Sequence, residues 1–446
     1  MTSVHIGIDD TDSPRMGCTT YIASLLIEKL DAFGVSFLDY PNLIRLNPNV
    51  PWKTRGNGAL CLRLNCPDDK IEQIKETTLA IVEENSDLEH PRTEPGVVFY
   101  FGRSIPKELK AFAKQAIQGI VKLNDALKLV RQLKAEAIGF KTGRGIVGAL
   151  AAIGEDLSGD HTFELIAYRT PEDRGSPRRL EPASVAEMDQ KTRPLTFNNW
   201  DPEKKRMLIT PHGPDPILYG VRGETPSIVK RAQKMVRSLE PIERWTIFRT
   251  NQGTDAHLRR INSINDIEPF NPVIVKGTVA EKPTIIPRRH VIFPIRDATG
   301  QIDCAAYEPT GELRKIAQKL IKRDVIEAHG GVRPPSRKRP VTINLEKINV
   351  LELAPNLIYQ NPFCQECGKR MKSMGRGKGF RCPKCGFRSS KLEKMVGQKN
   401  RDLERGIYVT SPRSQRHLAK PLSRYGLEKS RQPKTMISDW FWVNQS

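Results

Sequence analysis

Four of the eight cysteines in this 446-residue chain fall in two CxxCG knuckles, Cys364-Gln365-Glu366-Cys367-Gly368 and Cys382-Pro383-Lys384-Cys385-Gly386. Two thiolates three residues apart on a tight turn can share one tetrahedral ion, and two such turns fill all four ligand positions. Glycine after each pair permits the turn that aims backbone amides at the sulfurs. The spacing predicts a zinc ribbon folded around a structural Zn²⁺ held by Cys364, Cys367, Cys382 and Cys385. No position is left for a catalytic water. A redox dithiol is the other chemistry open to a CxxC pair. Cys18, Cys61, Cys66 and Cys304 lie scattered among apolar neighbours, as reduced core thiols do, so a reducing compartment is expected.

Between the knuckles runs a glycine-loosened basic string holding Lys369, Arg370, Lys372, Arg376, Lys378, Phe380 and Arg381. Lysine and arginine neutralise phosphates and an aromatic ring stacks on a base, so this hairpin is expected to bind nucleic acid; a solvated loop is the plainer alternative. The net charge of +21 is segregated in the same direction. Residues 1–140 hold 17 Lys+Arg against 18 Asp+Glu, whereas residues 361–446 hold 20 against 6. Solubility does not require segregation; a polyanion held at one end explains it. No signal-like N-terminus and no run approaching ~18 apolar residues is present, so a cytoplasmic protein without a membrane partner is expected.

The order of elements predicts a multidomain α+β chain. Val4–Ile8 reads as a strand that runs into an acidic turn and then a helix with Tyr21, Leu25, Leu26 and Leu30 on one face, an α/β unit. Further strands are expected at Ala59–Leu64 and Val97–Phe101, with helices at about 68–85 and 106–135. From Gly145 to about Asn265, a helix (146–153), strands at Phe163–Arg169, Met207–Thr210 and Ile217–Arg222, a helix at Thr225–Leu239 capped by Thr225, and a strand at Trp245–Arg249 suggest a ferredoxin-like sheet. Residues 268–355 give three strands, a helix (Glu312–Ile321) and two strands, the layout of an OB-fold barrel, with an SH3-like or sandwich domain as alternatives. The last ~55 residues are basic and weakly periodic.

Asp9, Asp10 and Asp12 crowd three carboxylates into four residues at the end of the first strand. Such crowding is costly without a cation, and Mg²⁺ carrying nucleotide phosphates is its natural occupant. A loop that merely caps the next helix is the alternative. Thr19 and Thr20 stand where that helix begins, so their hydroxyls and the amide groups there suit an anion. Two strings, Pro51-Trp52-Lys53-Thr54-Arg55-Gly56-Asn57-Gly58 and Lys141-Thr142-Gly143-Arg144-Gly145-Ile146-Val147-Gly148, pair cations with glycines that let a backbone approach phosphate, and suggest further phosphate contacts through Lys53, Arg55, Lys141 and Arg144. Neither is a Walker A loop.

Read together, Gly7–Asp12, Cys18–Thr20, Arg45–Pro48, Lys53–Gly58, Gly143–Leu150, Pro211–Pro216, Tyr219–Gly223, Arg249–Thr254 and the ribbon resemble the archaeal 2-agmatinylcytidine synthetases of the minor isoleucine tRNA. The resemblance implies a Thr/cytidine kinase-like domain (1–142), a ferredoxin-like domain (143–266), an OB fold (267–356), a zinc ribbon (357–392) and a basic C-terminal region (393–446). It implies an ATP-dependent ligase that activates the 2-oxo group of the wobble cytidine in the isoleucine tRNA with a CAU anticodon. Agmatine then displaces the activated oxygen. Family members are phosphorylated on a threonine of the Cys-Thr-Thr motif, which carries onto Thr19, although the sequence alone does not separate Thr19 from Thr20. Agmatine is a double cation, so its pocket is expected to hold a carboxylate: Asp215, beside His212, with Asp255 second. A non-enzymatic single-strand binder, or an ATP-dependent kinase or ligase acting on another RNA, are the competing readings.

Overall fold

The structure is a computed structural model that describes residues 1–337, 339–431 and 435–444. Its first strand, Thr2–Asp9, pairs antiparallel with Gly58–Cys66 on one side and Gly96–Phe101 on the other. Val4, Ile6 and Ile8 point to a face covered by the helices Thr19–Asp31 and Ile71–Asn85. The opposite face receives the helices Lys107–Gln118, Leu123–Gln132 and Ile146–Gly154. Both faces are buried, and the second is lined by His5 and Gly7, where a Cβ on Gly7 would lie 2.1 Å from the Ala149 carbonyl oxygen. The helical stretch expected over 106–135 is two helices because Gly119 adopts an extended backbone at φ −159°.

The ferredoxin-like unit places Ile217–Gly223, Thr162–Arg169 and Ile242–Thr250 side by side, antiparallel. Thr225 caps the helix Pro226–Gln233 by accepting from the Ile228 amide at 3.2 Å, a contact that stabilises by about 1 kcal/mol. The helix is shorter than the expected span to Leu239, since residues 234–241 turn to feed the next strand. The strand expected at Met207–Thr210 shrinks to Arg206–Met207. The Pro-rich stretch between the expected strands Phe163–Arg169 and Met207–Thr210 holds a helix, Pro182–Thr192, that buries Val185 and Met188.

The two units share one sheet. Asn42 and Leu43 pair in parallel with Arg249 and Thr250, so eleven strands run continuously through both. Beyond them, Pro272–Val279, His290–Arg296, Gln301–Ala306, Val325–Arg333 and Thr342–Glu352 close into a five-stranded barrel, with the helix Glu312–Lys319 between the third and fourth strands. That is the OB arrangement.

The ribbon leaves the barrel on a two-stranded arm, Leu357–Gln360 paired with Met395–Gln398. The chain then returns to the body. Gly406–Val409 adds to the barrel strand Thr342–Glu352, and Phe441–Val443 adds to Ile242–Thr250 in the eleven-stranded sheet. Trp440 sits in the main core with its ring 5.3 Å from Phe37. Arg424 is fully buried and bonds Glu224 at 2.6 Å and Asp160 at 2.9 Å. The region that reads as weakly periodic is therefore a strap tying the barrel to the eleven-stranded sheet. No helix among the described residues is long and apolar enough to cross a membrane.

Candidate active site

The first strand ends at Asp9, and Asp10 turns the chain through the left-handed region at φ +59°. That turn brings Asp9, Asp10 and Asp12 to the wall of a cavity of about 790 Å³ between the first unit, the ferredoxin-like unit and the strap. The volume is in the range of small-molecule sites. Thr19 and Thr20, the first residues of their helix, line the same cavity, and the Thr19 hydroxyl lies 3.0 Å from that of Thr11. Cys18 precedes the helix without capping it by its side chain, which leaves the first amides open toward the cavity.

Burial, reinforced by Asp10, pushes the Asp9 carboxyl well above its ordinary range. Burial likewise raises Asp10 to about 6, although Arg144 bonds it at 2.8 Å. Burial and like charge side by side account for both shifts, and acids so perturbed in a cleft are candidate functional residues. The helix that starts at Ile146 sits so close that a Cβ on Gly148 would lie 1.8 Å from an Asp9 oxygen. A Cβ on Gly145 would meet the Gly96 amide at 2.4 Å. These glycines serve close packing of helix on sheet and carboxylate, a correction to the expectation that they admit phosphate.

Arg55 joins the first unit to the ferredoxin-like unit. It donates to Asp12 at 2.5 Å, to the Gly17 carbonyl at 2.6 Å and to Asp215 at 2.9 Å. Arg178 holds the second oxygen of Asp215 at 3.2 Å while bonding four carbonyls of the 211–217 loop. Asp215 thus lines the cavity as a carboxylate already gripped by two guanidinium groups. Lys53 also lines the cavity, its Nζ on the Arg55 carbonyl at 3.0 Å.

Three expected residues stand elsewhere. Lys141 is exposed and reaches the His90 carbonyl at 2.7 Å, outside the cavity wall. His212 is exposed on its loop and does not line the cavity. Asp255 forms an ion pair with Lys347 of the barrel and accepts from the Lys420 amide of the strap at 2.7 Å, which makes it a joint between domains. Sequence reading gave Glu164 and His417 no part in the site and quoted Arg45 and Arg222 only within family strings, without a role; all four are on the cavity wall. Arg222 bonds Glu164 at 3.0 Å and the His417 ring at 3.1 Å. Arg45 has a buried Nε without a hydrogen-bond partner among the described residues. Gly56 and Gly58 make room for it: a Cβ on either would meet its Nη1 at 2.6 or 2.8 Å. Burial, then Arg45 and Arg222, hold His417 neutral. The glycines of the 53–58 string were the available signal; His417, more than 350 residues away, gave none.

In the ribbon, the four ligand sulfurs lie within 4.8 Å of one another, the arrangement a tetrahedral Zn²⁺ demands. Gly368 and Gly386 take φ of +66° and +78° to make the two turns. Lys369, Arg370, Lys372, Arg376, Lys378 and Arg381 are exposed, and none of them forms an ion pair among the described residues. Phe380 is the exception to the sequence reading. It is buried with Met371 against Cys364 and Cys382, because a module this small needs every apolar ring for its core. It has no face to offer a base.

Family models match nearly the whole chain: the TiaS TCKD domain over residues 5–142, the TiaS FLD domain over 143–257, an OB-fold nucleic acid binding domain over 273–351 and the TiaS C-terminal zinc ribbon domain over 361–403. The isoleucine-2 tRNA 2-agmatinylcytidine synthetase TiaS of Staphylothermus marinus is 44% identical, covering 99% of this chain and 98% of the relative. That of Pyrococcus horikoshii is also 44% identical, over 94% of this chain and 96% of its own. A complex of TiaS with isoleucine-2 tRNA and ATP superposes with a TM-score of 0.86 at 38% identity, covering 95% of this chain and 98% of that one. A complex of TiaS with the same tRNA, AMPCPP and agmatine gives 0.83 at 36% identity with the same coverage. With TiaS models matched over its first two domains and its ribbon, and relatives 44% identical over nearly its whole length, the chain belongs to the TiaS family of isoleucine-2 tRNA 2-agmatinylcytidine synthetases.

Proposed function

We infer that this chain is an ATP-dependent ligase that joins agmatine to C2 of the wobble cytidine in the CAU-anticodon isoleucine tRNA. The product pairs with A instead of G. The observation that carries the reading is one cavity that combines an acid cluster, a threonine-lined helix start and guanidinium groups between two units. Structures of relatives with isoleucine-2 tRNA, an ATP analogue and agmatine support it. A carbonyl oxygen leaves poorly. Transfer of a phosphoryl group from ATP to O2 of the cytosine turns it into phosphate, a good leaving group. The neutral primary amine of agmatine then attacks C2, the C–O bond breaks, phosphate departs with the former O2, and the amine loses a proton.

Positioning and charge neutralisation supply most of such catalysis. Asp9, Asp10 and Asp12 are the residues that would hold Mg²⁺, which neutralises charge on the phosphates when bound. Arg144 and Lys53 face the nucleotide. Thr19, bonded to Thr11 at the helix start, is the hydroxyl placed to accept a phosphoryl group, with Thr20 beside it. Asp215, gripped by Arg55 and Arg178 on the cavity wall, is the carboxylate offered to a cationic end of agmatine. The cytoplasm is where these substrates meet.

Incubating the protein with ATP, agmatine and transcribed tRNA, then digesting the RNA for mass spectrometry, tests the assignment. An agmatine adduct on cytidine at the wobble position is expected. ATP turnover stimulated by RNA without any adduct would indicate a kinase or ligase acting on another RNA.

Two further results are expected. Asp215→Asn keeps the shape but drops the charge, so apparent agmatine affinity should fall by roughly tenfold to a hundredfold with tRNA and ATP saturating. A titration curve matching wild type would leave Asp215 only the role of anchoring Arg55. Reversing the charge of Arg376 and Lys378 should weaken tRNA binding and reduce the slope of log K against log salt by about one per lost contact. An unchanged slope would mean that the hairpin is merely solvated.

A further inference from the structure

The arm that carries the ribbon is unlike the other strand pairs of the molecule. Leu357–Gln360 and Met395–Gln398 pair only with each other, and nearly every residue in them is exposed. Tyr359 stands opposite Val396, and Leu357 shares their face by strand alternation. Ile358 and Met395 occupy the other face. Tyr359 is 62% exposed and Val396 58%, and Phe363, where the arm meets the ribbon, is 45%. An isolated two-stranded ribbon is marginal in water, and a contiguous apolar patch on one marks an interaction surface.

The rim of this patch says what covers it. Lys391, Lys394 and Lys399 flank the second strand with Glu393 as the one acid among them, and all are exposed. The Arg370 guanidinium lies over the Phe363 ring at 4.5 Å, which extends one flat surface with another. Aromatic faces bordered by cations fit unpaired nucleobases, whose phosphates meet the rim while the bases stack. Phe380, the ring the sequence suggested for that task, is buried in the ribbon.

We propose that the two-stranded arm is a stacking platform for unpaired bases of the tRNA, with Tyr359 and Phe363 as its stacking rings. The proposal rests on tRNA being the polyanion this chain binds. Stacking and phosphate contact are separate sources of affinity. The arm supplies the first and the ribbon hairpin the second, so the two are distinguishable by salt.

The test is a tRNA titration of full-length, zinc-loaded protein as wild type, Tyr359→Ala, Phe363→Ala and Tyr359→Trp at several salt concentrations. Each alanine variant is expected to weaken binding by roughly tenfold, as loss of one base–aromatic stack does, with the salt slope unchanged. Tyr359→Trp should bind as wild type or tighter. Both rings are exposed, so zinc content and thermal unfolding should stay at wild-type values. Wild-type affinity in both alanine variants would overturn the proposal. So would self-association of the wild type that the variants abolish, since the platform would then be an interface between copies. If wild type itself fails to bind tRNA, the functional reading fails first. If wild type binds and the alanine variants match it, only the platform fails.

Discussion

Replacing Asp10 with asparagine is expected to lower ATP turnover by roughly a thousandfold, the scale on which removal of one preorganised electrostatic group acts, while tRNA affinity stays near wild type. The asparagine keeps the shape and the turn, since Asn also tolerates φ near +59°. It removes the charge that pairs with Arg144 and that would face the cation. The ribbon and barrel, which carry the basic surface, lie outside this cavity and are untouched. The same site predicts a pH dependence. Asp10 is raised to about 6 in the folded chain from an ordinary value near 3.8, so the stabilisation from its protonated form is complete below 3.8 and is lost as pH rises through 6. A cation has the opposite preference and requires the ionised form. Mg²⁺–ATP affinity should therefore climb as pH rises from about 5 to about 7, and the climb should flatten in Asp10→Asn. Undiminished turnover in the variant would remove Asp10 from the cation site.

The second large effect is structural. Arg424→Met should destabilise the body by about 3 kcal/mol, the lower end for removing one partner from a buried ion pair. Arg424 is fully buried between Glu224 and Asp160 and also donates to the Gly253 carbonyl at 2.5 Å. Lys429 and Lys420 stand close enough to the two carboxylates to offset part of the loss. Denaturant unfolding monitored at the tryptophans measures it. Adding Glu224→Gln should recover part of the stability, because the orphaned charge causes most of the damage. Catalysis should fall with it, since His417, seven residues earlier on the same strap, lines the cavity. A variant as stable as wild type would show that the strap is held mainly by Trp440 and its neighbours.

Features written in local periodicity or fixed spacing were legible in the sequence. The cysteine spacing, the barrel's three strands, helix and two strands, and the acid cluster after Ile8 each need only neighbouring residues to announce themselves. What lay hidden depends on distant pairing. The helix Pro182–Thr192 buries Ser184, Asp189 and Thr192 beside Val185 and Met188, a mixture in which no apolar period shows. Phe380 reads as a base-stacking ring until the smallness of the ribbon core is seen to claim it. Asp255 reads as a free acid until Lys347 arrives from the barrel. Arg45 and Glu164 look like ordinary strand residues, because only the shared sheet turns both toward one cavity.

The strap also sets a timetable. The ribosome makes the carboxylates, threonines and arginines of the cavity first, and His417, Arg424 and Trp440 last. A nascent or prematurely terminated chain holds the acid cluster but lacks the strand that closes the sheet beside Ile242–Thr250 and the histidine on the cavity wall. A chain stopped before the strap would leave the main core without Trp440 and that sheet without its last strand, so it is expected to be cut faster than the full chain in limited proteolysis.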